Sequence, residues 1–313
     1  MLHRIPQNII TSASLLLIGL VGLWFSIGTE KVSFVESTYS LLDGVLLEGL
    51  VLSKLVYLAG VVLCLCLGVQ INNEHKFVEG NKFLLLVFCF IGYPCFYFFE
   101  IQLSSVVGVL FSMLSLYFLL KIHNQNSVLG LIFMSTFFIG LASLFLYPTL
   151  IQLLTVLLSI TFFRPFELRN YVMMFVGFSL PVFYFYSFSY LLGFEFYIPE
   201  FGISSFSFEH DLTVGLVPIL FLIIISGIAS AKLFSSRTKF IVRQRNQFLI
   251  IVCFIMLQGF LWLLIPAAHV IITVLPLTGI FFLYLYKKAT KKWLLDVFLL
   301  LLLSSIIWVK TLV

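Results

Sequence analysis

Carboxylates that could act as general bases, or hold a divalent metal, sit in a few short polar stretches of this chain. Glu36, Asp43 and Glu48 fall within 28–52, Glu100 stands alone, and His210-Asp211 falls within 192–212. A carboxylate beside a membrane surface can take a proton from an acceptor hydroxyl, or bind a metal that neutralises a phosphate leaving group. The same residue types also fit acids that simply face water, the usual place of a loop carboxylate. His210 and Asp211 are neighbours in sequence, so neither orients the other unless the backbone turns there. His269 follows Pro266-Ala267-Ala268, where it caps a helix or faces polar surroundings as readily as it ligates. Cys64, Cys66, Cys89, Cys95 and Cys253 all fall in apolar runs, without a CxxC or a histidine at ligand spacing, and read as small hydrophobes. No P-loop, GxSxG, HExxH or dinucleotide fingerprint occurs, and neither a metal nor a cofactor is expected.

The elements that must position these residues are set by composition. Of 313 residues, 62% are hydrophobic and 10% charged, with mean hydropathy +1.17. A soluble domain carries roughly a quarter charged residues, and 18 basic plus 13 acidic side chains cannot cover a fold of this length with polar surface. Lipid is therefore the expected solvent. In hydrocarbon every backbone polar group must be satisfied internally, which leaves helices or a closed barrel. The apolar runs are continuous rather than alternating, as in Leu15-Leu16-Leu17-Ile18, so the expected fold is an all-α polytopic transmembrane helix bundle.

Reading apolar runs between charged clusters predicts about eleven spans in a single integral membrane domain over 1–313. They fall near 8–27, 52–70, 83–99, 103–121, 128–145, 149–163, 171–192, 213–231, 247–265, 268–286 and 293–311. Only Tyr147-Pro148 separates the fifth from the sixth, and merging those two would invert every later loop. With the N-terminus inside, 15 of the lysines and arginines fall in inner segments, and Lys31, Lys54 and Lys310 in outer ones. That asymmetry is the positive-inside signature, with the N-terminus cytoplasmic and the C-terminus periplasmic in a bacterial inner membrane. No cleavage-site pattern follows Trp24-Phe25-Ser26, so the first run reads as a retained signal anchor. Over 28–52, Glu36, Ser40 and Asp43 share one helical stripe, and Val35, Tyr39, Leu42, Val45 and Leu46 lie opposite. This predicts an amphipathic interfacial helix in the first outer loop. The segment 192–212 mixes acids with Phe194, Phe196, Tyr197, Phe201, Phe206 and Phe208, which suits a structured loop at the headgroups. On the inner side Arg237, Lys239, Arg243 and Arg245 attract anionic lipid headgroups, and nucleic acid is not an expected partner.

The spans themselves are nearly free of ionisable groups, which argues against ion-coupled transport and proton pumping. Lys54 and Asp296 lie close enough to an edge to reach polar surroundings. Gln152, Gln258, Ser226 and Ser230 either line a polar cavity or bond neighbouring helices.

The run Phe163-Arg164-Pro165-Phe166-Glu167-Leu168-Arg169-Asn170-Tyr171, followed by a span with Gly177 and Pro181, resembles the central signature of an uncharacterised family of multispanning bacterial inner-membrane proteins. Gly140 to Tyr147 and the run from Ala268-His269-Val270 to Pro276-Leu277 look like the same family. Its layout is similar to the C-type membrane glycosyltransferases. The resemblance implies that an acid in the first outer loop, Glu36 or Asp43 here, orients the acceptor. Basic side chains, Lys31 and Lys54 here, would hold the lipid phosphate of a polyprenyl-phosphate sugar. This chain departs from that pattern in having no outer arginine, no outer catalytic domain and no paired-acid motif in the loop. Three functions are therefore expected in order: a non-catalytic component of cell-envelope assembly that meets other envelope membrane proteins, a glycosyltransferase-like enzyme at the outer leaflet, and a carrier of a neutral or lipidic substrate.

Overall fold

The helices grow out of the apolar runs. Each run is rich in Leu, Ile, Val and Phe and uncharged over its middle, and a polar or proline-bearing stretch ends it. The computed structural model describes residues 50–75, 77, 103–122, 128–163, 167–192, 242–264, 268–288 and positions 224, 227, 228 and 231. Among the described residues the chain is all helical, with seven α-helices and no strand. They are α1 (Leu50–His75), α2 (Leu103–Lys121), α3 (Leu129–Phe145), α4 (Leu153–Phe163), α5 (Leu168–Leu192), α6 (Val242–Leu264) and α7 (Ala268–Lys288). A 3-10 helix, Tyr147–Gln152, joins α3 to α4. The amphipathic stripe of residues 35–46 and the apolar runs 8–27, 83–99 and 293–311 lie outside the described residues, as does all but four positions of 213–231.

The break between α3 and α4 has a local cause. Leu146 leaves the helical region, at φ −144° and ψ 89°, and its N–H closes on the Ala142 carbonyl at 2.8 Å. Pro148 then supplies no N–H, which costs nothing at the start of a helical segment, where those donors have no intrahelical partner.

Contacts between the helices fix their directions. Gly60 lies against Val106, and Glu74 against Lys121, so α1 and α2 run parallel. Ser115 meets Ser135 at 3.0 Å and Gly108 faces Leu146, so α3 returns antiparallel to α2. The 3-10 segment starts beside Gly108 and reaches Ser112 at Gln152, so the chain turns again and follows α2. Thr136 packs on Gly177 and Gly140 on Pro181, which makes α5 parallel to α3. Gln247, early in α6, reaches His75 and Leu120 at the far ends of α1 and α2, so α6 runs against both. Phe248 meets Phe281 and Tyr284 near the end of α7, with ring centroids 5.6 and 5.8 Å apart, so α7 runs against α6.

These directions gather Lys121, Arg169, Arg243, Arg245, Lys287 and Lys288 at one end of the bundle, the basic end. Among the lysines and arginines on the described helices, Lys54 alone belongs to the other. The core between them is built from α1, α2, α3, α4, α6 and α7, where Ile71, Met113, Ile139, Val156, Phe254 and Phe281 are fully or almost fully buried.

Helix α5 is arranged the other way. Its buried residues are Asn170, Gly177, Pro181 and Ser189, whereas Leu168, Phe175, Phe183, Phe188, Tyr190 and Leu191 are exposed. It is the one described helix that is by itself long and apolar enough to cross a membrane; Val106–Lys121, Leu129–Phe145, Thr149–Phe162 and Val274–Leu285 are shorter apolar stretches. At 1.5 Å per residue its 25 residues extend about 37 Å, beyond the ~30 Å hydrocarbon core of a bilayer.

Candidate functional site

The polar chemistry of the described chain is concentrated at the basic end, and helix periodicity puts it there. Gln70 and Glu74 are one turn apart on α1, as are Tyr117 and Lys121 on α2, so each pair shares a face. Because the two helices are parallel and in step, the faces meet. Tyr117 Oη donates to Glu74 Oε1 at 2.6 Å, and Gln70 Nε2 donates to Tyr117 Oη at 2.9 Å and to Glu74 Oε1 at 3.3 Å. Lys121 Nζ lies 3.1 Å from Glu74 Oε2, donates to Tyr117 Oη, and sits 4.0 Å from the centre of the Tyr117 ring. Lys121 also closes the last turn of α2, where a cation complements the helix dipole.

One residue further along, a second tie reaches α6. Gln247 Nε2 donates to the Leu120 carbonyl at 3.1 Å, one of the terminal carbonyls that α2 cannot satisfy itself, and lies 2.9 Å from His75 Nδ1. The atom beside a carbonyl must be the amide nitrogen, so His75 Nδ1 accepts, and the neutral ring carries its proton on Nε2. Aromatic rings pack beneath this tie, with His75 stacked on Phe77 at 5.5 Å and Phe77 on Phe248 at 4.5 Å. About 12 Å along α2 from Leu120, Ser112 Oγ donates to Gln152 Oε1 at 2.6 Å, well inside the bundle.

The electrostatics favour holding over proton transfer. Partial burial pushes the Glu74 carboxyl upward, but the hydrogen bonds from Tyr117, Lys121 and Gln70, with the Lys121 charge, outweigh it and hold the group below the usual carboxylate range. Such a carboxylate is charged at neutral pH with both oxygens engaged, so it is a poor base and a good anchor. A group whose folded value is depressed contributes stability above its ordinary value, and that contribution disappears as pH falls through the folded one. Thermal midpoints of the wild type and Glu74→Gln should therefore differ at pH 7 and converge in acid as pH falls below the folded value. The neutral-pH gap should be small, below about 1 kcal/mol, because the pair is partly solvated. A gap that widens in acid would contradict the assignment.

Of the residues expected from sequence, Lys31, Glu36, Asp43, Arg237 and Lys239 lie outside the described residues. Lys54 falls in the second turn of α1, and Arg243 in the first turn of α6, at opposite ends of the bundle. Arg245 is half-buried at the basic end. Among the described residues no three of His, Cys, Asp and Glu come together as a metal site. Gln70, Glu74, His75, Tyr117 and Gln247 escape a reading that treats span ends as topology markers only. The signal was present in the spacing, four residues apart at the ends of two apolar runs. No protein-family model, curated protein or solved structure matches the chain.

Proposed function

We propose that this chain is a multispanning protein of a bacterial inner membrane, with about eleven spans, acting as a non-catalytic component of cell-envelope assembly among membrane lipids and other envelope membrane proteins. The observation that carries the membrane reading is the reversal along α5, which buries Gly, Pro, Ser and Asn and exposes Phe, Tyr, Leu and Val. A helix packed in water does the opposite. In lipid, small residues let helix backbones approach, and large apolar ones face the acyl chains.

The helix directions support the span count. Parallel α1 and α2, and parallel α5 and α6, are what alternation demands if one further span lies in each of 76–102 and 193–241. Antiparallel α2 and α3, with the chain turning back after Leu146, supports reading the fifth and sixth spans as separate. Basic residues gathered where α1, α2 and α7 end match a cytoplasmic face. The non-catalytic part of the reading is supported by the polar groups at that end, which bond chiefly to one another.

Reporter fusions test the topology. Fluorescent-protein fusions after Lys121, Arg164 and Lys288 should glow, and a periplasm-dependent phosphatase fused after Tyr147 should be active; the reverse pattern at Tyr147 would merge two spans and sink the count. For the assembly role, mild cross-linking and purification of the full chain should recover a stoichiometric membrane partner, and Asp43→Asn should leave function intact. Loss of function in Asp43→Asn would turn the reading toward the enzyme.

A further inference from the structure

Gln152 is fully buried, and its Nε2 has no hydrogen-bond partner although its Oε1 is engaged by Ser112 at 2.6 Å. Exchanging the amide's nitrogen and oxygen would let it donate to Ser112 instead, but one open valence would remain, now an acceptor. An amide in that condition bears its full desolvation cost uncompensated, whereas an apolar side chain of similar size would fill the space without it. Its surroundings are polar but uncharged. Thr149 and Thr155, each nearly fully buried, flank it and donate to the Leu146 and Gln152 carbonyls at 2.8 and 2.6 Å, which leaves their oxygens able to accept. Helix α6, which packs on the 3-10 segment, carries the buried Gln258. Gln258 lies about 16 Å along α6 from Gln247, and Ser112 about 12 Å along α2 from Leu120, so the two amides share a depth to within a turn. No charged residue occurs on α3, α4, the 3-10 segment or α2 before Lys121.

We propose that Gln152 and Ser112, at the proline-marked break between α3 and α4, form a buried seat for a neutral hydroxyl, supplied by water or by a small polyol. A hydroxyl both donates and accepts, so it satisfies the open amide valence in either orientation. The absence of charge on the neighbouring segments disfavours an ion there. Water is small enough to be enclosed where two to four polar partners converge. The inference uses the membrane reading only to keep bulk water away, and the local packing supplies the rest.

The test is nuclear magnetic resonance on the full chain in lipid nanodiscs, labelled with 15N at glutamine, with the Gln152 amide pair assigned by its loss in Gln152→Leu. Magnetisation transfer from water to that pair identifies water as occupant; a saturable shift of the pair on adding glycerol identifies a polyol. Neither effect on a visible pair means a dry amide and overturns the proposal. Should exchange hide the pair, the double variant Ser112→Ala with Gln152→Leu decides. An occupied seat predicts a thermal midpoint lower by roughly 2–4 °C, whereas a dry one predicts no loss or a gain. A fusion pattern that breaks the proposed topology, beside a positive water signal, would reject the membrane reading and leave the seat standing.

Discussion

Gly177→Leu is expected to lower stability by about 3 kcal/mol or more and to loosen α5 from α3. A Cβ at Gly177 would meet Thr136 Oγ1 at less than contact distance, and the Phe133 carbonyl oxygen at 2.8 Å. The Phe133 atom is backbone and cannot swing away as a side chain can. One helical step along, Gly140 faces the Phe178 carbonyl oxygen at 2.7 Å and the Pro181 ring at 3.0 Å, so the two helices approach through glycine on both sides. Pro181 also removes the hydrogen bond that the Gly177 carbonyl would otherwise accept within α5, so the helix has little to offset a clash at this contact. The control is Gly130→Leu on α3, where nothing lies within 4 Å of the new Cβ and helix propensity favours the larger residue. It should stay within about 1 kcal/mol of neutral or gain slightly. With Cys66, Cys89, Cys95 and Cys253 replaced by alanine, a thiol-reactive dye that reports exposure of Cys64, fully buried in the folded chain, would follow both variants on heating in mild detergent. Equal midpoints for Gly177→Leu and Gly130→Leu would refute the close packing.

The second large effect is at Gln247. Gln247→Leu is expected to cost about 2–4 kcal/mol, because it removes the buried amide that donates to the Leu120 carbonyl and lies 2.9 Å from His75 Nδ1. Gln247→Glu should do nearly as badly, since it turns the donor into an acceptor facing two acceptors. The informative variant is His75→Leu combined with Gln247→Leu, which removes both side chains of the contact and should recover roughly 1 kcal/mol relative to additivity. Strictly additive losses would mean that the two side chains do not act through each other.

Both variants bear on residues whose importance is not visible in composition. Gly177 and Gly140 are two of 19 glycines, and their neighbour relation depends on α3 and α5 running parallel, which in turn depends on the reversal at Leu146. Gln247 lies 172 positions from His75, and no periodicity links them. Gln70, Glu74, Tyr117 and Lys121 are an intermediate case. Spacing of four residues declares two helical faces, but whether those faces meet depends on the relative direction and register of α1 and α2.

Among the described residues, the sequence by itself determined the helical character, most of the helix boundaries and the sorting of charge. The expected 103–121 and 268–286 lie within a few residues of α2 and α7, because where a helix forms in this chain is decided by the length of an uncharged apolar run and by the proline or polar cluster that ends it. Those are local properties, written in consecutive residues. The basic end was likewise legible among the described residues, since Lys121, Arg169, Arg243, Lys287 and Lys288 each lie in a first or last helical turn. The pairing of helices was decided only in three dimensions. In a chain this uniformly apolar, hydrophobicity does not distinguish one helix face from another, and the choice falls to a few small or polar groups whose value exists only against a particular neighbour. That is why α5 turns its glycine and proline inward, why Gln247 can close the basic end, and why Gln152 is left with an amide valence inside the bundle.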